Sequence, residues 1–204
     1  MATATISRIG RELAIPRENE GFDIPAMARK LWRPMVAMGL MTVAAGVIVG
    51  IVQANLNVPL HVSQVAAWNP GVLFLGIGFL LSAVTFLLAT ILGELRDGGT
   101  SVQQALGEKA LILKRPLTGK LFPPAMMMGL MTLIAALAVG FVQAAKLDNN
   151  PGAAADIGAW IGPLRFAGVA LLFTAVALAL ATIVHSLRFQ AARIEQIADQ
   201  HAAA

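Results

Sequence analysis

PMVAMGLMTVAAGVIVGIVQA, residues 34–54, returns as PAMMMGLMTLIAALAVGFVQA at residues 124–144. Aligned without gaps, the two stretches are identical at twelve of twenty-one positions: Pro34, Met38, Gly39, Leu40, Met41, Thr42, Ala45, Val49, Gly50, Val52, Gln53 and Ala54. The match extends backwards through Lys30/Lys120 and Leu31/Leu121, with Trp32 facing Phe122. It resumes after a two-residue shift, 68–97 against 160–189, where Trp68, Phe74, Gly76, Leu80, Ala83, Val84, Leu88, Ala89, Thr90, Ile91, Leu95 and Arg96 recur. The expected unit is therefore a pair of apolar segments, duplicated in tandem.

Those segments are long enough to decide the class. The chain has 204 residues, 57% hydrophobic and 13% charged, with a mean hydropathy of +0.74. No Asp, Glu, Lys or Arg lies between Pro34 and Gly93. Windows at about 34–54, 71–92, 124–145 and 163–184 each reach the roughly 20 residues that a spanning helix needs. The last carries one charge, Arg165, near its start. The fold class expected is an all-α integral membrane protein with four transmembrane helices and short cytoplasmic amphipathic segments. The first window is longer than a signal-peptide core and has its near-copy in mid-chain, so it is read as a retained helix.

The expected organisation follows from these windows. Residues 1–33 form a basic, amphipathic N-terminal segment, 34–97 the first two-helix repeat, 98–123 a linker with a short helix, 124–189 the second repeat and 190–204 a tail. Within the first segment, Ile6, Ile9 and Leu13 make one helical stripe over 5–15, stopped by Pro16 and suited to a membrane surface. In the linker, Ser101 and Gln104 form a capping box ahead of ALGEKALILK. The ALIL stretch is expected either buried under the bundle or in contact with another protein.

An even number of spans per unit returns the chain to its starting side, so the copies share one orientation, a parallel repeat. Thirteen of the fifteen basic residues fall in the N-terminal segment, the central linker and the tail or, for Arg96 and Arg188, at the repeat ends that adjoin the linker and tail; only Lys146 and Arg165 fall on the other side. The positive-inside rule then places both termini and the linker in the cytoplasm, with loops near 55–70 and 146–162 outside. Trp32 and Phe122 mark the inner boundary and Trp68 and Trp160 the outer one. The expected location is a bacterial-type cytoplasmic (inner) membrane, and the lipid bilayer is the first partner. The pI near 10.1 follows from this charge placement, so no nucleic-acid partner is expected.

On a helical wheel, ten of the twelve identities of the first segment share about half the circumference. The changed positions, Val43, Val47, Ile48 and Ile51 among them, take the other half, which is expected to face lipid. The shared half is small and weakly polar, as helix contact in a bilayer favours. Packing residues are therefore expected at Gly39, Thr42, Gly46, Gly50 and Gln53, and at Gly129, Thr132, Gly140 and Gln143. A four-helix bundle is the simplest closure.

Catalytic chemistry has little to work with. No span carries an acid, base or ligand set, cysteine is absent, and no histidine pair stands across facing helices as a haem requires. His185 reads as an interfacial anchor. No catalytic residue and no cofactor are expected. Met38, Met41, Met128 and Met131 suit a soft ion such as Cu(I), but thioethers also fill irregular gaps between helices, and packing is the preferred role. Other membrane-protein subunits are the expected partners. The function expected is thus that of a non-catalytic accessory or structural subunit of a larger inner-membrane complex. The alternative is a small oligomeric transporter or channel for a soft metal.

Overall fold

A computed structural model describes residues 14–16, 24–107 and 111–202 as four long helices and one short ribbon. Helix α1 is Ile24–Ala54, α2 Pro59–Ala105, α3 Leu117–Lys146 and α4 Pro151–Ala202. Strand β1, Ala14–Pro16, pairs antiparallel with β2, Leu111–Leu113, in a register that sets Ile15 opposite Ile112. Each helix contains a window long and apolar enough to cross a membrane.

α2 and α4 outrun their apolar windows at both ends, and α1 and α3 outrun theirs mainly at the start. At 47 and 52 residues, α2 and α4 are about 70 and 78 Å long at 1.5 Å per residue, against about 30 Å of hydrocarbon. Pro59 and Pro151 open α2 and α4, where a missing N–H costs nothing. Asn150 caps α4, its Oδ1 accepting the Ala153 N–H at 3.0 Å. The expected outer loops, 55–70 and 146–162, thus shrink to turns at 55–58 and 147–150. Pro34, Pro70, Pro123, Pro124 and Pro163 stand inside helices, near where the apolar windows begin. Hydropathy locates where lipid starts, not where the helix starts.

The linker and the termini also differ from expectation. Ser101 does not open a new helix; it lies inside α2 and donates its hydroxyl to the Asp97 carbonyl. α2 ends at Ala105, and Gly107, at φ 77°, supplies the left-handed turn that ends the run. ALIL then contributes a strand rather than a helical turn. Ala14 and Ile15, expected at the end of a helix over 5–15, belong to β1; the rest of that segment lies outside the described residues. The expected tail continues α4 through Ala202.

α1 packs along α2 and α3 along α4, giving two helical hairpins, and α2 also packs against both α3 and α4. α1 has no comparable contact with α3 or α4. The bundle is accordingly open along α1, where a closed one was expected. Its core lies among α2, α3 and α4, around Phe86, Met126, Leu130, Leu133 and Leu172, with the start of α1 joining through Ile24 and Ala28.

Candidate functional site

The two hairpins close on the same contacts. In the first, a Cβ on Gly39 would stand 2.8 Å from the Leu80 side chain and 3.1 Å from the Gly76 carbonyl oxygen. In the second, a Cβ on Gly129 would stand 2.7 Å from Leu172 and 3.0 Å from the Gly168 carbonyl. The reciprocal contacts agree, with Gly76 against Val43 and Gly168 against Leu133. In both hairpins glycine lets backbone approach backbone, the contact that holds helices together where lipid removes any hydrophobic advantage. Farther along α1, Gly46 abuts Leu73, and Gly50 lies near Asn69.

The polar residues expected at the packing faces divide into two kinds. Thr42 and Thr132 donate to the Met38 and Met128 carbonyls one turn back, each at 2.7 Å, so each hydroxyl is taken up by its own helix. Gln53 reaches across its hairpin to the Val62 carbonyl at 3.2 Å. Gln143 likewise lies across the second hairpin, its Nε2 against Gly158.

Exposure separates residues that identity had grouped. Gly39, Gly46, Gly129 and Gly140 are buried. Met38, Met41, Ala45 and Val52 are exposed, and so are their counterparts Met128, Met131, Ala135 and Val142. The four candidate thioethers therefore lie on the outer surfaces of α1 and α3, two helices that are not principal neighbours. Conversely, a changed position, Val43/Leu133, packs in both hairpins.

The hairpins meet through a second surface. Gly140 approaches the Ala67 carbonyl and Trp68, and Trp68 stacks on Phe141 with centroids 5.3 Å apart. Leu137 packs on Gly71, and Leu130 and Leu133 on Gly78. Phe74 and Phe166, at matching sequence positions, meet edge to face at 5.7 Å. Arg165 donates to the Ala67 carbonyl at 3.0 Å, within the turn that Pro70 disturbs. Of the expected aromatic markers, Trp68 is held between the hairpins, Phe122 is in the core, Trp32 carries Arg33 over its ring at 5.3 Å, and Trp160 is 75% exposed.

Polar contacts gather at the end that carries the ribbon. Arg29 of α1 bridges Glu94 and Asp97 of α2 at 3.0 and 3.1 Å. The fully buried Gln103 pairs with both backbone groups of Leu111, accepting from its N–H at 2.9 Å and donating to its carbonyl at 3.1 Å. The same amide nitrogen donates to Gln190 of α4 at 3.1 Å. Ile112 is buried beside it, so ALIL docks within the chain. Sequence reasoning did not single out Gln103 or Gln190. Their signal was a polar residue on the inward face of a helix that was read as linker or tail. Near the same end His185 faces the Ala181 carbonyl at 2.7 Å through Nδ1 and remains exposed.

These features define a multi-pass helical membrane protein, with four helices long and apolar enough to cross a bilayer. No family model, curated protein or solved structure matches the chain.

Proposed function

We propose that the chain is a non-catalytic accessory or structural subunit of a larger inner-membrane assembly. In this reading it is built from two like-oriented copies of one helical hairpin, with both termini and the linker on the cytoplasmic side. The observation that carries the proposal is the stripe of identical residues exposed on both α1 and α3: Met38/Met128, Met41/Met131, Ala45/Ala135 and Val52/Val142. Lipid accepts any apolar side chain, so it gives no reason for two diverged copies to agree there. Contact with protein does. Methionine suits such a surface because its unbranched, polarizable side chain fits irregular partners.

The cytoplasmic placement is supported by the basic residues that flank the ribbon end, Arg29, Lys30, Arg33, Lys114, Arg115 and Lys120 among them. Purification of the tagged chain from its native membrane in mild detergent, followed by mass spectrometry, tests the assembly. Other membrane subunits should copurify in fixed ratio, and Met41→Ser with Met131→Ser should release them while the chain still folds. Recovery of this chain without any other subunit would sink the proposal.

A further inference from the structure

The contact between the hairpins has a direction, and it leaves one copy of each contacting surface unused. The second helix of the first hairpin, α2, seats on the first helix of the second, α3. Among the described residues, the matching surfaces of α4 and α1 have no such neighbour. On α3 the contact uses Leu130, Leu137, Gly140 and Phe141. Their counterparts on α1 are Leu40, Val47, Gly50 and Ile51. Leu130 is 7% exposed, whereas Leu40 is 58% exposed, and Val47 and Ile51 are exposed with it. On α2 the contact uses Ala67, Trp68, Gly71 and Gly78, all buried or half-buried. Their counterparts Ala159, Trp160, Pro163 and Ala170 are all exposed.

From this correspondence we propose that the chain assembles head to tail with further copies of itself, α4 of one protomer seating on α1 of the next as α2 seats on α3. The chemistry of both surfaces is preserved. Trp160 repeats Trp68, Ala159 repeats Ala67, Gly50 repeats Gly140, and Ala170 keeps the Gly78 position small. Neither set introduces a charge. A surface facing only lipid has no use for small residues set opposite a tryptophan. The contact joins two different surfaces, so it is heterologous and propagates until it closes. In a bilayer, protomers of one orientation turn about the membrane normal, which makes a ring the natural closure. The proposal rests on the reading of the chain as two like-oriented hairpins and does not depend on other subunits. The exposed methionine stripe lies on a different side of α1 and stays available to them.

The internal contact specifies its own test. A Cβ on Gly140 would stand 3.5 Å from the Cβ of Trp68, a separation that a disulfide spans, and 3.0 and 3.2 Å from the Ala67 carbonyl and the Trp68 Cα, so the helices part by a few tenths of an ångström to admit it. The chain has no cysteine to interfere. Gly50→Cys is tolerable, since a Cβ there meets only Asn69 Nδ2, at 3.4 Å, and Trp160 is exposed. Two full-length chains with different tags, one carrying Gly50→Cys and the other Trp160→Cys, are coexpressed and oxidised in isolated membranes. The expected result is a shift from monomer to a reducible dimer carrying both tags. The internal pair, Gly140→Cys with Trp68→Cys in one chain, serves as the positive control and should link within the monomer. Absence of the mixed dimer while the internal pair links overturns head-to-tail assembly, as does dimerisation of either single variant with itself. Failure of both pairs removes the contact from which the proposal was built. A mixed dimer formed by a chain that copurifies with no other subunit supports self-assembly and counts against the accessory-subunit reading alone.

Discussion

Leu172 packs against Gly129 in the second hairpin as Leu80 packs against Gly39 in the first, with Cβ clearances of 2.7 and 2.8 Å. Neither site has room for a methyl group, because a carbonyl of the facing helix stands behind the leucine in each case, at 3.0 and 3.1 Å. Gly39→Ala and Gly129→Ala should therefore each destabilise the protein by about 1–3 kcal/mol through overpacking. The substitution in α3 should cost more, since α3 is also pressed by α2 whereas α1 is free to move outward. Thermal unfolding of the two variants in one detergent checks both the sign and the order.

Gly98 and Gly99 are neighbours in α2 with opposite expectations. A Cβ on Gly98 meets nothing within 4 Å, so Gly98→Ala should stabilise α2 by about 0.5–1 kcal/mol through helix propensity. A Cβ on Gly99 would come within 3 Å of the Gln190 amide, the group that accepts from Gln103. Gly99→Ala should displace Gln190 and lower the melting temperature. Equal melting temperatures for the two variants would remove α4 from its position beside α2 at this end.

Much of this architecture was legible in the sequence, and what was not has a physical explanation. The four long apolar helices followed from the windows at 34–54, 71–92, 124–145 and about 163–184, because a bilayer imposes a length that few soluble segments satisfy. Helix ends were less legible. Polar residues at 60–64 read as a loop, yet nothing between Pro59 and Pro70 breaks a helix, and Ser63 settles its hydroxyl on the Pro59 and Leu60 carbonyls. The role of a face was the hardest to read. Identity between the two stretches does not say whether a position is packed inside the chain, as Gly39 is, or exposed on its surface, as Met41 is. The change from Val43 to Leu133 shows the converse: a packed position can drift when its neighbour repacks.

Gln103 ties the ribbon to the helices. Its amide satisfies both backbone groups of Leu111, and its own burial is complete. Gln103→Leu keeps the volume but removes every partner, leaving Leu111 and Gln190 with unmet polar groups, at a cost of about 2–4 kcal/mol. Amide hydrogen exchange at Leu111–Leu113 should accelerate more than exchange at Leu130–Leu133 in the core. Unchanged exchange in β2 would mean that strand pairing with β1, rather than Gln103, positions it.

Arg165 offers the sharpest check on how the hairpins are joined. It is the lone charged side chain in the apolar windows, and it stands where the first hairpin has Leu73. Leu73 fills the space over Gly46, whereas Arg165 crosses to the Ala67 carbonyl of the other hairpin. A charged donor on a carbonyl contributes about 1.5–3 kcal/mol, and the partial exposure of Arg165 puts the expected loss near the lower end. Arg165→Met keeps the stem and removes the donor, so it should weaken the contact between hairpins while leaving each hairpin intact. The disulfide between Gly140→Cys and Trp68→Cys, which reports that contact, should form more slowly in the Arg165→Met background. Lys in place of Arg should restore part of the rate, because an ammonium can reach one carbonyl but not spread over the turn. A rate unchanged by Arg165→Met would show that the Trp68 and Phe141 stack suffices to hold the hairpins together.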